Sequence, residues 1–383
     1  MDKIGIITLN GDFNYGNRLQ NFALQYVLKN KDISVDTIII KEAKSKKIKK
    51  ELLLGKISNT KDLKYVVNKI ARKLTPKSIS KRIRYKKMQK EKYQIIHPFT
   101  RKYISSINIE KKDLKKIDEK YKLFIVGSDQ VWNPNIIEFD TTHFLTFTSY
   151  QKRYSYSASI GVASIPDVPT KLKNHYKHFL SQMKYISVRE HAGASIVKEI
   201  INKEVDIAPD PTLLLEKEEW LNAFNLKKNS EENYILLYFI SGISVEIKKS
   251  IDLFAEQKKL KIIQIMGDLY DDNHIIVSPD RFIQLINDAH YFFTDSFHGT
   301  VFSIIMETNF LTFSRADGKG INSRIETLLE KFNLPQLLTY KSKDVFLVDQ
   351  LNNFDNVKRI HQQEKKRGIK IISNNILRHL EEQ

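Results

Sequence analysis

"HYFFTDSFHGTVFSIIM", residues 290–306, decides how the chain is read. Its first residues form an apolar run of strand length, and "VFSIIMETNF" (301–310) reads as a buried helix. Between them "TDSFHGT" (294–300) packs an acid, hydroxyl residues, a histidine and a glycine into one corner. A buried strand turning through a short polar corner into a buried helix is the repeating unit of a parallel α/β sheet. Ligands of such sheets sit beyond the carboxyl ends of the strands, where this corner lies. A helix starting near Gly299 would offer free backbone N–H groups and a positive dipole end to an anion. Gly299 would allow close approach to the backbone, and Ser296 and Thr300 would add hydroxyl donors. His298 could act as acid or base near neutral pH, with helix capping or a core contact as its structural alternative.

The same rhythm extends in both directions. "KIGIITL" (3–9), a helix from about Arg18 to Asn30 and "SVDTIII" (34–40) give a strand–helix–strand opening. Strands follow at 121–126, 152–161 and 184–190, then a helix in "HAGASIVKEII" and a short strand in "VDIAPDP". A second unit starts near Tyr234 with "YILLYFI" and continues through "KIIQI", "SPDRFIQLINDA", the 294–300 corner and "FLTFS". The fold class is therefore α/β, with two Rossmann-like, doubly wound domains facing across a cleft. Residues 1–215 form the first domain, with a basic helical insertion at 41–105. Residues 216–350 form the second, and 351–383 a C-terminal helix.

Composition narrows the function. The chain has 383 residues, 41% of them hydrophobic, and no cysteine, which excludes disulfides and thiolate chemistry. It opens directly into a strand, so the expected location is cytoplasmic. The net charge of +18 is concentrated in residues 41–92, which hold 20 Lys and Arg against 4 Asp and Glu. Only Tyr65 and Tyr85 could stack bases there, so nucleic acid is not an expected partner. Leu63, Val66, Val67, Ile70 and Leu74 fall at helical spacing among lysines. Such a basic helix suits either the inner face of an anionic membrane or a plain solvated surface.

Polar clusters follow the other strand ends: "NGDFNYGNRLQN", "GSDQVWNP" and "VRE". None matches a phosphate-binding or dinucleotide glycine pattern. "DLYDD" (268–272) reads as a solvated turn rather than a metal site, and no metal is expected. Arg189 ends an apolar strand, where its charge needs a partner, and a guanidinium fork suits carboxylate or phosphate. Asp129 could cap a turn, Trp132 fits packing better than sugar stacking, and Asp210 sits between prolines at the domain hinge. Asp295 could orient His298 or cap the helix after it.

"NYGNRLQNFALQ", "FIVGSDQVWNP", "YSASIG", "SVREHAGASIV", "IAPDPTLL" and "TDSFHGTVFSIIM" occur in this order. In that order and spacing they resemble the polysaccharide pyruvyl transferase family, over about Lys3 to Leu329. The resemblance implies a GT-B-like fold and transfer of the enolpyruvyl unit of phosphoenolpyruvate to a sugar, giving a pyruvate ketal. Phosphoenolpyruvate would be the donor substrate, with no further cofactor. The resemblance places Arg189 and His298 in the donor site, His298 as acid/base and Arg189 as anion clamp, beside Ser296, Gly299 and Thr300. Asn17, Arg18, Asp129 and Gln130 would line the facing half and hold the sugar acceptor, which could be lipid-linked. Characterised members often carry an arginine where this chain has Ser296. Arg324 or Arg18 would have to replace it, unless the donor differs. Two other readings stand beside this one: a GT-B-type glycosyltransferase using a nucleotide sugar, and a non-catalytic glycan- or anion-binding protein.

Overall fold

The computed structural model describes residues 3–12, 14–41, 76–137, 141–164, 170–227, 233–267, 273–315, 321–351 and 354–381. The hydrophobic run 63–74 and the acidic turn 268–272 lie outside them. The first sheet contains β1 (Lys3–Ile7), β2 (Ser34–Lys41), β3 (Ser106–Glu110), β4 (Leu123–Val126) and β5 (Arg153–Ser155), in the parallel order β3-β2-β1-β4-β5. Two short strands, β6 (Ser187–Val188) and β7 (Asp206–Ile207), prolong it through bridges at Tyr154–Tyr185 and Ala158–Val188. The second sheet contains β8 (Tyr234–Tyr238), β9 (Lys261–Ile265), β10 (Tyr291–Thr294), β11 (Asn309–Phe313) and β12 (Leu338–Thr339), in the parallel order β12-β11-β10-β8-β9. Central strands such as "LFIV", "YILLY" and "YFFT" are buried along their whole length. That is what helices on both faces of a parallel sheet demand.

The principal helices are α1 (Tyr15–Lys29), α2 (Pro76–Tyr103), α3 (Thr170–Leu180), α4 (His191–Ile201), α5 (Lys217–Ala223), α6 (Val245–Lys258), α7 (Pro279–Asp288), α8 (Phe297–Met306), α9 (Ile321–Lys331) and α10 (Val357–Ile372). Strand order reverses between β1 and β4 in one sheet and between β8 and β10 in the other. Loops after those four strands border the crevices where doubly wound sheets bind ligands.

The halves share one hydrophobic core. Tyr15 of α1 stacks on Phe282 of α7, with ring centroids 4.6 Å apart and planes at 6°. Trp220 bridges Phe22 of the first half (5.6 Å) and Phe302 of the second (5.1 Å). From the basic insertion, buried Lys92 donates to the Gly267 carbonyl at 2.7 Å and ties α2 to the second half.

Three features depart from the sequence expectation. Edge strand β3, "SINIE", is not an apolar run, and β12 is only two residues long. Both lack the continuous apolar signal of the central strands. The chain end is not a separate unit either. Helix α10 returns to the first half, where the His361 ring contacts the Leu213 carbonyl at 3.0 Å and Arg367 donates to the Ile207 carbonyl. Among the described residues no helix is long and apolar enough to cross a membrane.

Candidate functional site

The corner after β10 is built by its own side chains. The Ser296 hydroxyl caps α8 by accepting from the Gly299 N–H at 3.2 Å, as N-cap serines do. Thr300 donates to the Ser296 carbonyl and meets the Thr312 hydroxyl at 2.9 Å, inside the core. A Cβ at Gly299 would lie 2.6 Å from Thr294 Oγ1. Ser296, Gly299 and Thr300 therefore set the helix in place, and the Gly299 N–H and the Thr300 hydroxyl are spent on contacts within the fold, against the expectation that they face an anion.

His298 points the other way, toward the first half. A Cβ at Gly16 would lie only 2.0 Å from His298 Nδ1. "NYGN" thus forms the start of α1: Asn14 caps it by accepting from the Asn17 N–H at 3.1 Å, and Gly16 makes room for the imidazole. Across from His298 Nε2, at 3.6 Å, lies Asp210 Oδ2. That is an ion-pair separation rather than a hydrogen bond, and Nε2 has no hydrogen-bond partner.

Asp210 is the hub. Its Oδ2 accepts from Arg189 Nη1 at 2.6 Å and from the Ser128 hydroxyl at 3.1 Å; Oδ1 accepts from the Thr212 N–H and hydroxyl. Burial alone would raise its pKa. The opposing charges of His298 and Arg189, with the hydrogen bonds from Thr212, win and hold it well below the usual carboxylate range. Asp210, expected at the hinge, is the carboxylate beside His298; Asp295, expected either to orient His298 or to cap the helix after it, instead accepts from the Ile240 and Ser241 N–H groups and pairs with Arg315 at 3.2 Å.

Arg189 follows β6, and its Nη2 lies 3.4 Å from Asp129 Oδ1. Burial would depress its pKa, but Asp210, Asp129 and Glu190 together raise it. Its guanidinium lies 4.3 Å from the centre of the Phe297 ring. Arg324, from α9, approaches the same ring at 5.6 Å. Burial and the neighbouring charge of Arg189 lower the Arg324 pKa to about 10, against the pull of Asp129 and Glu190. No carboxylate pairs with Arg324 within ion-pair distance among the described residues.

The first half contributes Arg18, Asp129 and Glu190. Arg18, 1% exposed, donates to the Leu9 carbonyl and Asn10 Oδ1, and burial lowers its pKa despite Asp12 and Asp129. Asp129 adopts a left-handed backbone (φ 68°) at the turn after β4. Glu190 is wholly buried, and its Oε1 accepts from Ser159, Ile160 and Gly161. Gln130 is half-buried and receives the Asn133 amide at 2.5 Å, while Asn17 is buried within α1. Trp132 is fully buried and donates to the His143 carbonyl, a packing role. Arg18 Nε, Arg189 Nε, Glu190 Oε2, His298 Nε2 and Arg324 Nε are among the buried polar atoms with no hydrogen-bond partner within the protein, and buried polar groups are nearly always satisfied. No group of His, Asp or Glu among the described residues is arranged to hold a metal.

Two Rossmann-like domains sharing a polar cleft define the GT-B architecture, and solved structures agree. The chain is similar to S. aureus MnaA solved with UDP, at 12% identity and TM-score 0.52, covering 100% of this chain and 97% of that one. A UDP-GlcNAc 2-epimerase from Methanocaldococcus jannaschii matches at 13% identity and TM-score 0.52, over 97% of this chain and 99% of that one. At such identities the likeness concerns the fold alone. The profile of the family described as polysaccharide pyruvyl transferase matches residues 14–317. The chain belongs to that family, a class of transferases in polysaccharide biosynthesis. No curated protein matches the sequence.

Proposed function

We propose that this protein moves the enolpyruvyl group of phosphoenolpyruvate onto two hydroxyls of a sugar in a surface-polysaccharide precursor, forming a pyruvate ketal and releasing phosphate. The observation that carries this reading is the pair of buried guanidiniums, Arg189 and Arg324, flanking Phe297 beside His298. Arg324 has no carboxylate of its own there, so a small polyanion with a phosphate and a carboxylate would complete the cluster.

The chemistry follows from the same residues. Protonated His298, held beside Asp210, donates a proton to the methylene carbon, which becomes the methyl group. The C2 centre left electron-poor is attacked by one sugar hydroxyl, whose proton passes to the now neutral His298. Phosphate then departs with the electron pair of its C–O bond, and the second hydroxyl adds at C2 and loses its proton to the phosphate, closing the ketal. Arg189 and Arg324 hold the phosphate and carboxylate throughout, and stabilise the charge growing on the departing phosphate. Asn17, Arg18, Asp129 and Gln130, on the facing half, are where the acceptor hydroxyls would approach.

A lipid-linked acceptor would place the protein at the inner face of a membrane. Helix α2 supports this by its surplus of lysines and arginines, which an anionic surface would attract. Unchanged binding to anionic liposomes after neutralising residues 84–90 would sink that part alone. The reaction itself is tested by calorimetry with phosphoenolpyruvate and with UDP-sugars. Binding of phosphoenolpyruvate that Arg324→Ala abolishes supports the proposal. Binding of a UDP-sugar alone favours a nucleotide-sugar glycosyltransferase, a reading encouraged by Ser296 and by the UDP of the S. aureus neighbour.

A further inference from the structure

Outside the cationic cluster, the second sheet opens into a cavity of about 490 Å³. It lies beyond the carboxyl ends of β8, β10 and β11, and so takes in the second switch point of the fold. Its volume falls in the range of roughly 300–1,000 Å³ usual for small-molecule sites. Three aromatic residues line it: Phe239, Phe313 and Tyr340. Phe239 and Phe313 are buried and close-packed, with centroids 5.8 Å apart, whereas Tyr340 is 76% exposed at the rim.

Its polar lining is balanced in charge. Asp295 and Arg315 face each other at 3.2 Å and are the only two charged residues of the lining, so they cancel. Ser244, also in the lining, caps α6 by accepting from the Ile247 N–H, and its hydroxyl hydrogen-bonds the Glu246 carboxylate. The Asp295 carboxylate is buried, and burial raises its pKa above the ordinary value against the pull of Arg315. A diphosphate or other polyanion would meet no net positive charge here. An aromatic wall with a neutral carboxylate–guanidinium pair instead suits a ligand with one apolar C–H face and a ring of hydroxyls.

We propose that this cavity is a second sugar subsite, holding a neutral pyranose unit of the acceptor next to the one that is pyruvylated. The inference rests on the pyruvyl-transfer reading and deepens it. Adjacency supports it: Asp295 immediately precedes the Ser296 cap of the His298 helix, and Arg315 is close enough to Arg324 to help depress its pKa. The charged donor and the neutral acceptor are thereby sorted by electrostatics into neighbouring pockets. An acceptor of two or more sugars would be required for tight binding.

The test is saturation-transfer NMR on the full chain with lactose, cellobiose, N,N′-diacetylchitobiose and UDP as probes, comparing wild type with Tyr340→Ala. Tyr340 is exposed, so the variant should fold; Ser244→Ala, which gives up the α6 cap, provides a second change. We expect at least one neutral disaccharide to bind, and Tyr340→Ala to weaken it about tenfold, the loss of one aromatic contact. Phosphoenolpyruvate affinity should be unchanged in both variants. If no disaccharide binds, or if binding survives both substitutions, the subsite is wrong. UDP binding that Tyr340→Ala weakens would also overturn it, and make the cavity a nucleotide site. Failure to bind phosphoenolpyruvate in wild type would overturn the pyruvyl-transfer reading on which the subsite rests, a result separable from the sugar titration.

Discussion

Gly16 of the first domain and His298 of the second meet so closely that a methyl group on residue 16 would lie 2.0 Å from His298 Nδ1. Helix α1 and helix α8 thus fix the imidazole between them, and the cleft is assembled by the domain contact itself. Alanine would ordinarily stabilise a helix by about 1 kcal/mol over glycine. Here Gly16→Ala should displace His298 and lower kcat by about a hundredfold, the cost of misplacing a reacting group by an ångström. Steady-state kinetics with phosphoenolpyruvate check this, and an unchanged kcat would mean that His298 is not the acid.

Asp210 holds Arg189 and His298 at once. Asp210→Asn leaves Arg189 with Asp129 alone and should cost about 3–5 kcal/mol of stability, as broken buried ion pairs do. Because its pKa is depressed in the fold, its stabilisation is fully present above the unfolded carboxylate value of about 3.9 and is lost as pH falls further. Denaturant melts across the acid range should show the stability gap between wild type and the asparagine variant narrowing as pH falls.

Arg324 is expected to trade stability for binding. With no ligand, Arg324→Met removes a buried, unpaired cation and should raise stability by about 1–3 kcal/mol. The same change should abolish phosphoenolpyruvate binding. Thermal melts with and without phosphoenolpyruvate check both halves of the claim: the variant should melt higher alone and show no shift with ligand.

The pH profile of binding should report the same residue. The Arg324 pKa is lowered to about 10. Its charge is therefore complete at pH 7–8 and lost as pH rises through about 10, so anion affinity should fall by about tenfold per pH unit beyond that point. Stability should move the opposite way: the unfolded arginine stays protonated longer, but the folded one sheds a charge that burial disfavours. Arg324→Met should flatten the Arg324 contribution to both trends.

Trp132 provides a contrast. It is fully buried, and its indole N–H is satisfied by the His143 carbonyl. Trp132→Phe should cost stability and leave acceptor affinity untouched, whereas a sugar-stacking tryptophan would show the reverse. Trp132→Ala should cost about 3–5 kcal/mol.

Much of this was legible in the sequence, for identifiable reasons. The buried strands announce themselves as apolar runs, and the corner at 294–300 gives both the parallel sheet and the position of His298. Arg189 could be named because a charged group ending an apolar strand must find a partner, and Arg324 because the family resemblance leaves an arginine missing where Ser296 stands. Asp210 could not be assigned from local pattern: its partner His298 is far along the chain, and a carboxylate between two prolines reads as a turn. The hydroxyl of Thr300 misled because capping, core contacts and ligand binding use the same residue types. Glu190 was visible only as part of "VRE", and its unpartnered oxygen emerges only in three dimensions. Nor does any local signal say that α10 crosses back to the first domain, since that depends on packing against residues 207–213.

The most direct test of the central claim is a crystal structure of the protein with phosphoenolpyruvate. The account predicts its phosphate and carboxylate on the guanidiniums of Arg189 and Arg324, and its methylene carbon facing His298 Nε2. Phosphoenolpyruvate bound away from Arg324, or a cleft that takes only a nucleotide under the same conditions, would contradict it.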